Sequence, residues 1–203
     1  MPDTPRIEAA AQRSPMVRQA LRTAHAAHAG QIRNGSGGMP YVEHPRGVAE
    51  MLCAEGFGEE VVAAGLLHDV VEDSELTVED LRRDFGDRVS GLVGALSDDE
   101  SIEPYRERKV EHRERVAAAG REALAIYAAD KLFNVRSLRG ALAGEDTEQV
   151  AGEFKVSLEV KLDVWEADLA LLREKAADLP FVGPLREELS ALRAELGAPA
   201  PHP

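Results

Sequence analysis

The chain has 203 residues and a formal net charge of −13, with 37 acidic against 24 basic side chains. This acidity argues against a surface for long nucleic acids, whose binding depends largely on the neutralisation of phosphates by basic residues. The single cysteine, Cys53, excludes an internal disulfide framework and a metal site built from several thiolates.

The sequence shows neither a membrane helix nor a signal peptide. No apolar run approaches the roughly 20 residues that span a bilayer, and the polar start of the chain lacks the apolar core of a secretory signal. We therefore expect a cytoplasmic protein without membrane contact. We predict one folded domain over residues 15–196, between a flexible segment at 1–14 and a disordered tail at 197–203. An acidic helical exterior is compatible with a monomer or a homodimer.

Composition and periodicity both favour helices. Aromatic residues make up 4% of the chain, while Ala, Leu, Val, Glu and Arg are abundant. Turn-forming residues separate a series of amphipathic segments. The predicted helices are 15–29, 44–55, 58–71, 77–93 with a capping box at its start, 105–118, 121–138, about 147–178, and a last one before the Pro-rich tail. The predicted fold class is all-α, a helical bundle.

The most informative segment is GLLHDVVED at residues 65–73. It places His68, Asp69, Glu72 and Asp73 on a helix that otherwise reads as buried and apolar. Burying such groups costs several kcal/mol unless something neutralises their charge. On a continuous helix His68 lies one turn before Glu72, and Asp69 one turn before Asp73. A metal ion is the natural partner for this arrangement.

Two further segments carry polar residues that fit the same site. His44 precedes Pro45, which restricts it to an extended conformation just before a helix. A histidine that caps this helix is an equally good interpretation. Asp130 and Asn134 lie one turn apart on an apolar helix, although an isolated Asp there more often forms a salt bridge. The combined ligand set suits manganese, iron or zinc and favours a catalytic site, with two imidazoles and two carboxylates from His44, His68, Asp69 and Asp130.

This order of ligands resembles the pattern of HD-domain metal-dependent phosphohydrolases. The resemblance is closer to the hydrolase domain of RelA/SpoT proteins, and it rests on HAGQIR at 28–33, PYVEHP at 40–45, the segment at 65–73 and ADKLFNVR at 129–136. It covers about residues 15–140. The resemblance implies an HD-domain helical bundle that acts as a small stand-alone hydrolase.

The resemblance also implies roles for particular residues. It implies that manganese, or another divalent metal, binds His44, His68, Asp69 and Asp130. The pair Glu72 and Asp73 would assist the attacking water. Arg33 and Asn134 match positions that contact the substrate. Further candidates for phosphate binding are Lys131, Arg106 and Lys109, although basic residues on helices more often lie on solvated faces.

The implied reaction is removal of the 3′-diphosphate from the guanine nucleotides ppGpp and pppGpp, which gives GDP or GTP and pyrophosphate. Two alternatives stay open. The same chemistry can act on another nucleotide, such as a 5′-nucleotide, a nucleoside triphosphate or NADPH, because HD sites share chemistry more than specificity. A non-catalytic nucleotide sensor would show a broken ligand set, and here the set is intact. His25, His28 and His112 show no ligand spacing, so we interpret them as packing or surface residues.

Overall fold

The computed structural model describes residues 5–34, 36, 38–144 and 147–197. Within these ranges the chain is helical, and the sole pairing of β type is an isolated bridge between Ile32 and Pro40. The prediction of an all-α fold is confirmed. Almost all of the predicted disordered tail falls outside the described residues.

The helices follow one another with short connections. Their bounds are α1 Arg6–Arg13, α2 Pro15–Ala27, α3 Glu43–Ala54, α4 Glu59–Leu67, α5 Val70–Asp73, α6 Val78–Leu96, α7 Tyr105–Ala118, α8 Arg121–Gly144, α9 Thr147–Gly152, α10 Leu158–Ala176 and α11 Val182–Glu195. The capping box is present at the start of α6, where Thr77 Oγ1 accepts from the Asp80 N–H and the Asp80 carboxylate accepts from the Thr77 N–H. None of the helices in the described ranges combines the length and apolarity needed to cross a membrane.

The prediction of a flexible segment at 1–14 is wrong for residues 5–14. Helix α1 buries Ile7 and Ala11 against the bundle. The carboxylate of Glu50 on α3 accepts hydrogen bonds from the backbone N–H groups of Arg6 and Ile7, at 2.8 and 2.7 Å. A distant carboxylate thus satisfies donors at the start of α1, and the local sequence does not reveal such a cap.

The long helix predicted at about 147–178 is also wrong, because it is divided. Helix α9 ends at Gly152, and α10 begins at Leu158. The Ser157 hydroxyl accepts from the Val160 N–H at 3.3 Å and caps the second helix. Helical spacing of apolar residues runs across the break, so periodicity alone did not detect it.

Two central helices bring polar residues into the core. Helix α4 contacts α2, α3, α6 and α8, and residues 61–67 are all buried. Helix α8 contacts α3, α10 and α11, and residues 123–132 are all buried. A helix covered on all sides forms the centre of a bundle. His68 follows the end of α4 and Asp130 lies midway along α8, so both lie deep inside the protein.

Gly47 permits the close approach of α3 to α8. A Cβ atom at this position would overlap the ring of Phe133, which packs edge-on against His44 with centroids 5.1 Å apart.

We expect Gly47→Ala to displace that ring and to lower the free energy of unfolding by about 1–3 kcal/mol, measured by thermal unfolding. The control Gly91→Ala lies on an exposed helix face with no atom within 4 Å and should stabilise by about 0.5–1 kcal/mol. Equal unfolding temperatures for Gly47→Ala and the unmodified chain would contradict the packing argument.

Candidate metal centre and adjoining cavity

The regular helix is interrupted by a turn at His68 and Asp69, although both residues keep right-handed helical backbone angles. Helix α4 ends at Leu67 and α5 begins at Val70, so the prediction of one continuous helix over 58–71 is wrong. On a regular helix neighbouring side chains point about 100° apart. In the turn, Asp69 Oδ1 lies 3.1 Å from His68 Nε2, and both side chains face one cavity.

The four predicted metal ligands converge in this cavity. His44 Nε2 lies 3.1 Å from His68 Nε2, 3.3 Å from Asp69 Oδ2 and 3.2 Å from Asp130 Oδ1. His44 lies inside the first turn of α3, not before the helix as predicted, because Pro45 is tolerated within a first turn. The ligand atoms of His44, His68 and Asp130 all lie within 4.8 Å of one another.

The donor set fits a divalent metal ion. His68 Nδ1 lies 2.9 Å from the Gly65 carbonyl, so a proton on Nδ1 is held by the backbone and Nε2 keeps its lone pair towards the cavity. The remaining ligand atoms are a second imidazole nitrogen and carboxylate oxygens, which suit manganese, iron or zinc. Two carboxylates and two imidazoles crowded in a buried space need a positive charge among them.

The charges of the site shift the pKa of its members in opposite directions. Burial alone would lower the pKa of His68, but the carboxylates of Asp69 and Asp130 outweigh it and raise that pKa to about 9. Burial raises the pKa of Asp69, whereas its contacts with His68 and His44 outweigh burial and hold it well below its usual range. In the metal-free protein near neutral pH, His68 therefore carries a proton beside ionised carboxylates.

Metal binding should therefore release a proton from His68. Because the metal needs the neutral imidazole, apparent affinity should rise about tenfold per pH unit up to the pKa of His68 and then level off. Calorimetric titration with Mn²⁺ at pH 7, in two buffers of different ionisation enthalpy, measures the released protons. A binding constant that stays the same from pH 6 to pH 9 would contradict the assignment of His68 as a ligand.

The two acidic residues that follow the ligands occupy different places. Glu72 lines the metal cavity at its solvent-accessible edge, and its Oε1 accepts from the Asp98 N–H at 2.7 Å. The protein packed around Glu72, and then the charge of Asp69, raise its pKa to about 7. Asp73 does not line this cavity, and burial followed by the charge of Asp69 raises its pKa.

Three predicted substrate residues surround the ligands in one hydrogen-bonded chain. Asn134 donates to Asp130 Oδ1 at 2.6 Å and accepts from the guanidinium of Arg33. The buried ammonium of Lys131 donates to Asp130 Oδ2 at 2.7 Å. These contacts hold two cations at the wall of the cavity, within reach of an anion bound beside the metal ligands.

The structure separates the two basic residues predicted on α7. Lys109 lines the metal cavity and donates to Asp98. Arg106 is exposed and pairs with Asp163 on α10 at 2.8 Å, and it lines neither this cavity nor the larger one described below. Arg106 lies one helical turn before Lys109, and its guanidinium is directed to Asp163 on α10 instead of to the cavity.

Sequence reasoning missed two residues of the site. Tyr41 donates to Asp69 Oδ2 at 3.0 Å and stacks on His28 with centroids 4.7 Å apart. His112 lines the metal cavity, where its Nδ1 lies 2.9 Å from Asp98 Oδ1. A detectable signal was the spacing of His112 three residues after Lys109, which places both on one face of α7.

A larger cavity adjoins the metal centre. The metal cavity has a volume of about 150 Å³ and the second about 500 Å³, and Arg33 and Tyr41 line both. Helix α7, the segment before α10 and α10 itself supply much of the remaining wall, including Tyr105, Phe154 and Lys161. Arg33 and Tyr41 therefore lie at the boundary between the two cavities.

Comparisons with known proteins agree with this fold. The HD domain family matches residues 20–156. A solved structure described as a metazoan ortholog of SpoT that hydrolyzes ppGpp and plays a role in starvation responses aligns with a TM-score of 0.71 and 31% identity, over 91% of this chain and 97% of that one. The chain belongs to the HD-domain family, and within it to the RelA/SpoT-type branch.

The chain is also similar to curated proteins named guanosine-3′,5′-bis(diphosphate) 3′-pyrophosphohydrolase MESH1. The Xenopus tropicalis protein of this name is 34% identical over 141 residues, 68% of this chain and 78% of that protein. The Danio rerio protein is 40% identical over 113 residues, 55% of this chain and 62% of its own length. A GTP pyrophosphokinase of Streptomyces coelicolor is 38% identical over 152 residues, but the match spans 17% of that longer protein.

Proposed function

We propose that this chain hydrolyses the 3′-diphosphate of ppGpp and pppGpp, releasing pyrophosphate and leaving GDP or GTP. The observation that carries the proposal is the single cavity that holds all four metal ligands, Glu72 and three cations. The names of the vertebrate relatives and the description of the metazoan structure support the choice of substrate.

The charges that line the metal cavity fit this substrate. Asp69, Glu72 and Asp130 are acidic, and Arg33, Lys109 and Lys131 are basic, so the two signs balance when these groups are ionised and the histidines are neutral. A bound divalent ion leaves the cavity with excess positive charge, which suits a diphosphate. We propose manganese as that ion, because imidazole and carboxylate donors suit it and the RelA/SpoT resemblance implies it.

The residues of the cavity have distinct proposed roles. A divalent ion held by the four ligands supplies positive charge to the reacting phosphate and lowers the pKa of water. Glu72 accepts a proton from the attacking water, since its pKa of about 7 allows it to take up and release protons near neutrality. Asp73 has a supporting role as a second carboxylate, and Tyr41 orients Asp69 through its hydroxyl.

The substrate is held by the cations and the amide around the ligands. Arg33, Lys109 and Lys131 bind oxygens of the 3′-diphosphate through charge-assisted hydrogen bonds. Asn134 contacts the sugar, and its position is set by the bond to Asp130. The nucleoside then extends past Arg33 and Tyr41 into the larger cavity. This placement leaves Arg106 outside the binding site.

Product analysis tests the proposal directly. Metal-free protein is incubated with ppGpp, NADPH and a panel of 5′-nucleotides, each with and without Mn²⁺, beside an Asp69→Ala control. We expect manganese-dependent release of pyrophosphate and GDP from ppGpp that is lost in the variant. Cleavage of another nucleotide with ppGpp intact would show a different substrate for the same site, and no cleavage with metal bound would point to a sensor.

A further inference from the structure

The larger cavity beside the metal centre has an excess of positive charge. Its only acidic lining residue among the described residues is Glu103, whereas four basic side chains line it: Arg33, Arg108, Lys155 and Lys161. A concave surface with charge of one sign concentrates ligands of the opposite sign. The metal ligands do not account for this charge, because they line the smaller cavity.

Lys161 is the partly buried lysine of this cavity, whereas Lys155 is exposed. Across the described residues its ammonium forms no ion pair with a carboxylate, and it lies over the rings of Phe154 and Trp165, 4.3 and 5.3 Å from their centroids. The aromatic rings stabilise the cation without neutralising it. A partly buried ammonium without a counter-ion is a favourable site for an anion supplied by a ligand.

The surroundings of Lys161 connect it to the metal centre. Burial, and then the positive charges of Lys109 and Lys131, lower the pKa of Lys161 to about 8. These two residues line the metal cavity, so Lys161 lies within electrostatic reach of it. A ligand that bridges the two cavities can therefore place one anionic group on each side of Arg33.

Two other cations of the larger cavity are held in place by their neighbours. Arg108 donates to the Ile102 carbonyl at 3.1 Å, pairs with Asp98 at 3.4 Å, and its guanidinium lies over the ring of Tyr105. Arg33 donates to the amide oxygen of Asn134. These contacts fix the direction of each guanidinium and lower the entropy lost when an anion binds.

We infer that the larger cavity binds the 5′-phosphates of a nucleotide and that Lys161 determines the preference for nucleotides that carry them. The inference rests on the proposed function where it concerns the hydrolysis of ppGpp. The binding of a 5′-diphosphate in the larger cavity does not depend on that function. In ppGpp the two diphosphates leave opposite sides of one ribose. With the 3′-diphosphate beside the metal ligands, the 5′-diphosphate must extend away from them, and the larger cavity, which shares Arg33 and Tyr41 with the metal cavity, offers the ammonium of Lys161.

A binding experiment tests this inference without hydrolysis. GDP carries a 5′-diphosphate and no 3′-phosphate, so it probes the larger cavity of the metal-free protein. Calorimetry measures its affinity, and the fluorescence of Trp165, the single tryptophan of the chain, reports changes next to Lys161. We expect Lys161→Met to weaken GDP binding about tenfold, the loss of one charge-assisted hydrogen bond, and Lys161→Arg to restore most of it.

Lys175→Met is the matched control. It removes one positive charge from the same helix, but Lys175 pairs with Glu174 at 2.8 Å and lines neither cavity. We expect this control to bind GDP within about twofold of the unmodified chain, because exposed ion pairs contribute little. Equal weakening by Lys161→Met and Lys175→Met would mean a general charge effect and would overturn the inference.

A kinetic experiment separates this inference from the proposed function. The KM for ppGpp should rise about tenfold in Lys161→Met, whereas the KM for guanosine 3′-diphosphate, which lacks 5′-phosphates, should change much less. An equal rise for both substrates would overturn the role of Lys161 while leaving the hydrolase proposal intact. If the unmodified chain cleaves neither substrate, the hydrolase proposal fails, and the GDP titration still decides the role of Lys161.

Discussion

Replacing His68 by glutamine is expected to lower kcat/KM for ppGpp by on the order of 10³-fold, since a metal ion contributes several kcal/mol to transition-state stabilisation. The imidazole Nε2 lies 3.1 Å from both His44 Nε2 and Asp69 Oδ1, so its loss removes one donor from the centre of the set. The measurements are metal content after dialysis against Mn²⁺ and initial rates of pyrophosphate release.

The control for this variant is His25→Gln, the same chemical change at an exposed position of α2. It should keep the metal content and the rate of the unmodified chain. Because His68 also contacts the Gly65 carbonyl, thermal unfolding must show that His68→Gln is folded at the assay temperature. A folded His68→Gln that keeps stoichiometric metal and full activity would refute the proposed ligand set.

Replacing Glu72 by glutamine should lower kcat by about 10²- to 10⁴-fold, the usual contribution of a general base, while metal binding persists. The wild-type rate should fall as pH drops through the pKa of Glu72, because a protonated carboxyl cannot accept a proton. That pKa is about 7 without metal, and a nearby positive ion lowers it. In Glu72→Gln this acidic limb should be absent from the residual rate. The measurement is a pH–rate profile with saturating substrate.

Glu75→Gln is the matched control for Glu72. Glu75 is exposed, follows α5 and does not line the metal cavity. Its rate and pH profile should equal those of the unmodified chain. If both substitutions had the same small effect, the attacking water would need another base, and Asp73 would be the next residue to replace.

The four candidate ligands show why a metal site can be predicted from a sequence. Their residue types are rare in apolar helices, and burying them without a partner is costly, so each one stood out against its neighbours. The structure brings His44, His68, Asp69 and Asp130 into one cavity. Their roles in metal binding, and those of Glu72 and Asp73 in catalysis, stay predictions until metal and activity are measured.

Local sequence patterns predicted the positions of helices more accurately than the points at which helices are interrupted. Helix α7 spans Tyr105–Ala118 as predicted, because its boundaries follow from Pro104 and from the turn after Ala118. The break at His68 and Asp69 was missed, since both residues keep helical backbone angles and no Gly or Pro marks the interruption. The second cavity was also missed, because Arg33 and Lys161 come from segments far apart in the chain.

The sequence by itself determined the all-α class, most helix positions and the four candidate ligands, because periodicity, caps and buried polar residues are local properties. Only the tertiary structure decided which cations face the ligands, for this depends on how α7, α8 and α10 pack together. Lys109 lies at the metal cavity and Lys161 at the larger cavity beside it, whereas Arg106 points outward to Asp163. Side-chain direction depends on the rotation of each helix against its neighbours, and no short stretch of sequence encodes that rotation.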